Sequence, residues 1–164
     1  MSNIILIGMP GCGKSTVGVI LAKTLGIGFV DTDLIIQQRE KRLLQNIIDT
    51  DGIENFLDIE AEAVKSLDCE NCVVATGGSV VFREAAIRHL KKHGKIFYLN
   101  VPLDEIKKRL DNISTRGIVA SKNQTIDDIF CERSPLYKKY ADFILDLDGC
   151  SAEQAVEKIS KFYK

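Results

Sequence analysis

Eight residues near the start of the chain, Gly8-Met9-Pro10-Gly11-Cys12-Gly13-Lys14-Ser15, have the types and spacing needed to hold a row of phosphates. They fit the pattern G-x-x-x-x-G-K-[ST] at every defined position. Glycines at 8, 11 and 13 let the backbone take positive φ and bring the N–H groups of Gly11, Cys12 and Gly13 close to an anion. Lys14 is placed to reach the β- and γ-phosphates, and Ser15 to offer a hydroxyl to Mg²⁺. From Thr16 onward a helix is expected, with its positive N-terminal end facing the anion. The expected ligand is a nucleotide.

Further along, Asp31-Thr32-Asp33 supplies two carboxylates. Asp31 is placed to support Mg²⁺, directly or through water, while Asp33 is placed to accept a hydrogen bond or a proton from an acceptor hydroxyl. The competing use of an aspartate here is to cap the helix that follows. Val73-Val74-Ala75-Thr76-Gly77-Gly78-Ser79 is an apolar run ending in two glycines whose amides can approach the γ-phosphate or the acceptor, or simply form a tight turn. The polar, glycine-containing stretch 111–125 carries Arg116. It reads either as a solvated loop or as a lid that brings an arginine onto the transferring phosphate and excludes water.

These groups must be positioned by an alternation of strands and helices. Strand patterns cover 4–8, 28–31, 72–75, 95–101 and 143–146; helical spacing covers 15–25, 34–44, 52–67, 84–92, 104–110, 126–140 and 152–162. Successive strands joined by helical crossovers predict a parallel sheet covered on both faces, with ligands beyond the carboxyl ends of the strands. The glycine-rich loop, Asp31 and the glycines after Ala75 all fall at such ends.

With 164 residues and 45% hydrophobic content, one domain is expected. The formal net charge of -1, from 22 basic and 23 acidic residues, provides no general attraction to nucleic acid or an anionic membrane. No apolar run has membrane-span length and no leader-like segment precedes the first strand, so a cytoplasmic protein is expected; a monomer is the expected state, though nothing in the sequence derives it. The five cysteines are scattered; Cys69-Glu70-Asn71-Cys72 and the pair His89 and His93 lack the companions a zinc site needs. Cys12 stands out by location alone, since a thiolate there would sit among anion-attracting amides.

Taken together with Arg133-Ser134-Pro135-Leu136-Tyr137 ahead of Ala141-Asp142, the order of these motifs resembles the shikimate kinase family along essentially the whole chain. The resemblance implies an α/β, three-layer P-loop NTPase fold, with a five-stranded parallel sheet in the order 2-3-1-4-5 and a mobile lid. It implies one kinase domain over 1–164, a lid near 111–125 and substrate-binding helices near 33–62. The implied reaction is ATP- and Mg²⁺-dependent transfer of a phosphoryl group to a hydroxyl of shikimate, giving shikimate 3-phosphate.

By matching position, the resemblance assigns catalysis to Lys14, Asp33 and Arg116. It assigns the nucleotide to Gly11, Cys12, Gly13, Lys14, Ser15, Thr16, Arg109 (against adenine) and Arg116, and the metal to Ser15 and Asp31. The acceptor falls to Asp33, Gly77 and Gly78, with Arg133 on its carboxylate. Three positions depart from the family pattern. Phe-Arg-x-x-Glu appears as Phe56-Leu57-Asp58-Ile59-Glu60, the third glycine of Gly-Gly-Gly is Ser79, and Gly117 follows the lid arginine in place of proline. Loss of the arginine removes charge-assisted hydrogen bonds worth about 1.5–3 kcal/mol, roughly ten- to a hundredfold in affinity. Arg39, Arg83 and Arg88 are the candidates to compensate. The alternatives are a related kinase with another hydroxylated acceptor and an inactive nucleotide-binding homologue.

Overall fold

The first strand, β1 (Asn3–Ile7), is buried along its whole length. It is the central strand of the sheet, and its run of isoleucine and leucine fits a position covered from both sides. The computed structural model describes residues 2–110 and 117–163. Four further strands, β2 (Gly28–Asp31), β3 (Cys72–Ala75), β4 (Gly94–Asn100) and β5 (Phe143–Asp146), complete a parallel sheet in the order β2-β3-β1-β4-β5. This is the order implied by the resemblance. Register brings the carboxyl ends level: Leu6 pairs with Ala75 on one side and Phe97 on the other, and Asp31 pairs with Ala75.

Eight helices connect the strands among the described residues: α1 (Lys14–Leu25), α2 (Thr32–Glu40), α3 (Leu44–Asp51), α4 (Ile53–Lys65), α5 (Glu84–His93), α6 (Leu103–Leu110), α7 (Ile126–Tyr140) and α8 (Ala152–Ser160). A single 3-10 turn spans Val80–Phe82. Helix α1 packs on α8, and α4 packs on α5, so the sheet carries helices on both faces. Among the described residues no helix is long and apolar enough to cross a membrane.

One expectation about the helices needs correction. The spacing predicted a helix over 34–44, but α2 ends at Glu40, where Lys41 turns left-handed at φ 54. A separate α3 follows, closed by Gly52 at φ 84, before α4 begins. The apolar spacing continues across the break, and so conceals it. The extra corner has a purpose in packing: Ile36 of α2, Ile47 and Ile48 of α3, Phe56, Leu57 and Ala63 of α4, and Val119 form an apolar cluster apart from the main core. That cluster ties the α2–α4 wall to the loop after residue 116.

Candidate active site

At the end of β1 the chain turns through the glycine-rich loop into α1. Gly13 caps α1 at φ 94, a conformation that strains any residue with a Cβ. Lys14 is buried, and its ammonium donates to the carbonyls of Gly8 (2.8 Å) and Met9 (2.9 Å). Ser15 Oγ donates to Asp31 Oδ2 at 2.8 Å, while Asp31 Oδ1 accepts from the N–H of Asp33 at 2.9 Å. Asp31 therefore caps α2 and also meets the Ser15 hydroxyl. Such a pair of hard oxygen donors suits Mg²⁺. The capping role left open between the two aspartates belongs to Asp31, and Asp33 is free of it.

Asp33 lies in the first turn of α2 and lines a cavity of about 420 Å³. Burial, reinforced by the neighbouring Asp31 charge and opposed by Lys14, pushes its carboxyl up to about 6. Gly77 lets it approach: a Cβ at that position would meet Glu60 Oε2 at 2.6 Å and Asp33 Oδ1 at 3.0 Å. The chain leaving β3 is tied to the end of β1 by Thr76, whose hydroxyl donates to Leu6 O at 2.9 Å. A Cβ on Gly78 would lie 2.8 Å from Pro10 Cδ and 3.2 Å from an Arg133 guanidinium nitrogen. Tyr137 Oη, buried and shifted upward in pKa by that burial, donates to Gly78 O at 2.5 Å.

Arg133 is only 2% exposed, so it is no helix-surface charge. It donates to Val119 O, its guanidinium carbon lies 5.2 Å from the Phe82 ring centroid, and its buried Nε has no hydrogen-bond partner among the described residues. A buried cation with donors to spare is a ready partner for an anionic group. Gly11, Gly13, Lys14, Ser15, Thr16, Asp33, Gly77, Gly78 and Arg133 all line the same cavity. A second cavity of about 250 Å³ is lined by Cys12, Gly13, Thr16 and Arg109. There Arg109 donates to Gly11 O at 3.1 Å and to Glu105 at 2.7 Å. Cys12 is itself buried, its sulfur 3.7 Å from Lys14 Nζ. Arg116 lies outside the described residues.

A sequence profile described as shikimate kinase matches residues 10–164. The chain belongs to the shikimate kinase family. Among curated relatives, a shikimate kinase of Thermodesulfovibrio yellowstonii is 39% identical over 167 residues, covering 100% of this chain and 96% of that protein. One from Clostridium botulinum is 35% identical, covering 98% of this chain and 96% of its own length. Among solved structures, shikimate kinase from Acinetobacter baumannii in complex with shikimate superimposes with a TM-score of 0.89 at 28% identity, over 99% of this chain and 93% of that one. The enzyme from Aquifex aeolicus gives 0.82 at 32% identity, over 97% and 94%.

The departures from the shikimate kinase pattern now have locations. Leu57 is buried in the apolar cluster with Ile36, Ile47 and Val119. None of the three candidate arginines lines the main cavity, although Arg83 borders a neighbouring one together with Leu57 and Arg133. Arg83 is bound to Glu54 (2.7 Å) and Asp58 (2.9 Å), Arg39 to Glu62 O and Ser66, and Arg88 to Glu84. Among the described residues, Arg133 is the arginine that lines the main cavity. Gly117 has φ +37, which proline cannot adopt, and a Cβ there would meet Leu44 Cβ at 2.5 Å.

Sequence reasoning assigned no role to Glu60 or Ser79. Glu60 is 2% exposed and accepts from Ser79 Oγ at 2.8 Å. Burial above all, with the Asp33 charge adding and Ser79, Arg133 and Lys14 opposing, pushes its carboxyl up to about 7. A signal existed: an acid one turn beyond Phe56 and Leu57 stands on the buried stripe of α4 rather than its solvated face.

Proposed function

We propose that this chain transfers the γ-phosphoryl group of ATP to a hydroxyl of shikimate. The observation that carries the reading is that Asp33 and Arg133 open into the same cavity as Lys14 and Ser15. A base for a hydroxyl, a cation for a carboxylate and a phosphate cradle thus face one space, in a chain of the shikimate kinase family.

In this reading the loop amides and Lys14 hold the phosphates, and Arg109 borders the base. Arg133 takes the acceptor carboxylate and sets the ring so that one hydroxyl meets Asp33. The acceptor oxygen–phosphorus bond forms as the bond to the β,γ-bridging oxygen breaks, and the hydroxyl proton passes to the Asp33 carboxylate. Mg²⁺, when bound, neutralises charge on the phosphates, and Ser15 and Asp31 are the residues that would hold it. Arg116 is assigned to the developing charge on the phosphoryl group. Residues 33–62 form the acceptor wall and 111–125 the lid, within one domain over 1–164. The enzyme is proposed to act as a cytoplasmic monomer.

A coupled ADP-release assay with ATP and Mg²⁺, run against shikimate and a panel of hydroxy acids and polyols, tests this. Turnover of shikimate with the highest kcat/KM is expected. Turnover of a different acceptor with none of shikimate would replace the substrate, and ATP binding without any turnover would make the chain an inactive homologue.

A further inference from the structure

The amino ends of the strands, opposite the cavities, carry a C-x-x-C sequence that phosphoryl transfer does not use. Cys69 and Cys72 are half-buried free thiols, and Cys72 opens β3. One side chain pins both ends of this turn. Asn3, 4% exposed at the start of β1, donates from Nδ2 to Cys69 O at 2.7 Å and accepts at Oδ1 from the Cys72 N–H at 3.0 Å. The same Nδ2 lies 3.9 Å from Cys69 Sγ. Cys72 Sγ donates to Glu70 O at 3.3 Å, so it folds back over the turn rather than along the strand.

The rest of the turn holds this shape. Asn71 takes the left-handed conformation at φ 56, which a short polar residue tolerates, and its Oδ1 accepts from Tyr163 Oη at 2.6 Å. Its carbonyl accepts from the Gly28 N–H at 3.1 Å. A Cβ on Gly28 would lie 2.7 Å from Cys72 Sγ, so the glycine makes room for that thiol. Burial first, then the neighbouring Cys72 thiol with which it hydrogen-bonds, push the Cys69 thiol up to about 11. Two thiols thus meet in a turn whose ends are already fixed, and joining them orders little that is not ordered already. Cys12, Cys131 and Cys150 lie elsewhere, in the glycine-rich loop, in α7 and ahead of α8.

We propose that Cys69 and Cys72 form a thiol–disulfide exchange site that takes small-molecule disulfides. Cys69 holds its proton more firmly than a solvated thiol, so Cys72 opens the exchange. The Cys72 thiolate, its proton given to water, attacks one sulfur of RS–SR. A Cys72–S–S–R bond forms, the S–S bond of the reagent breaks, and RS⁻ leaves and takes up a proton. The Cys69 sulfur then attacks the Cys72 sulfur, its proton passing to the second departing thiolate. Two cysteines are oxidised to one disulfide, and the small disulfide is reduced to two thiols. Residues 69–72 lie outside both active-site cavities, so the inference does not depend on the phosphoryl-transfer reading.

The test incubates wild type, Cys69→Ser and Cys72→Ser, as full chains, with oxidised glutathione at neutral pH and follows each cysteine by peptide mapping and mass. Wild type should show Cys69 and Cys72 joined, with two hydrogens lost. Cys69→Ser should stop with one glutathione on Cys72. Cys72→Ser should react at Cys69 about tenfold more slowly, the balance of a smaller thiolate fraction against a stronger nucleophile. Closing the loop 69–72 should raise the Tm of wild type by roughly 4–7 °C, an increase that dithiothreitol reverses. Absence of reaction at both cysteines of wild type would overturn the proposal, as would glutathione retained there without closure or a cross-link from either cysteine to Cys12, Cys131 or Cys150. Equal rates in the two variants would overturn the assigned order of attack. A lower Tm on closure would also count against the site, since it would mean that the disulfide forces the Asn3 clamp open.

Discussion

Replacing Glu60 by glutamine should make the protein more stable at pH 8 and flatten the pH dependence of its stability. The Glu60 carboxyl titrates near 4.5 when solvated and is pushed up to about 7 in the fold, first by burial. Between those values the folded state keeps a proton that the unfolded chain has released. Stability from this group is complete below about 4.5, is lost as pH rises to about 7, and is constant above. The gap corresponds to roughly 3 kcal/mol. Glutamine has the same shape; its carbonyl can accept from Ser79 Oγ, and its amide can donate toward Asp33 beyond Gly77. Urea unfolding of both proteins at several pH values from 5 to 8 measures the difference. The stability of Glu60→Gln relative to wild type should climb across that range by roughly 2–3 kcal/mol. A difference that does not vary with pH would mean that Glu60 titrates like a solvated acid, which would refute the reasoning.

Other expectations follow from the same geometry. Asp33→Asn removes the proton acceptor and should lower kcat by about 10²- to 10⁴-fold with the KM for ATP unchanged; a collapse of nucleotide affinity would assign Asp33 to the metal instead. Arg133→Lys replaces a planar fork with a point charge that cannot both serve Val119 O and face the cavity past Gly78. Its KM for shikimate should rise roughly ten- to a hundredfold, and a change below about twofold would show that Arg133 does not hold the acceptor. Chelation should abolish transfer and added Mg²⁺ restore it. Ser15→Ala should raise the Mg²⁺ concentration for half-maximal rate by about tenfold, and an unchanged requirement would remove Ser15 from the metal site.

What was legible in the sequence was whatever local pattern determines. The loop from Gly8 to Ser15 carries its own geometry in its glycines, and the alternation of elements produced the observed sheet once the family order was applied. The break after Glu40 was not legible, because it depends on a lysine accepting a left-handed conformation while apolar spacing runs on. The aspartates of Asp31-Thr32-Asp33 could not be told apart by type. Their division of labour is set by Ser15, sixteen positions away in sequence. Glu60 and Ser79 are separated by 19 positions, and only packing of α4 against the 3-10 turn after β3 makes them a pair. Leu57 looked like a vacancy in the acceptor site, yet it is a member of the apolar cluster that holds α2, α3 and α4 together.

The central claim is that phosphoryl groups move from ATP to shikimate in this cavity, and following the phosphorus tests it most directly. With γ-labelled ATP, Mg²⁺ and shikimate, the label should appear in a phosphate ester of shikimate, at a rate that Asp33→Asn removes. Label recovered only as inorganic phosphate, or remaining on ATP whether or not shikimate is present, would contradict the account.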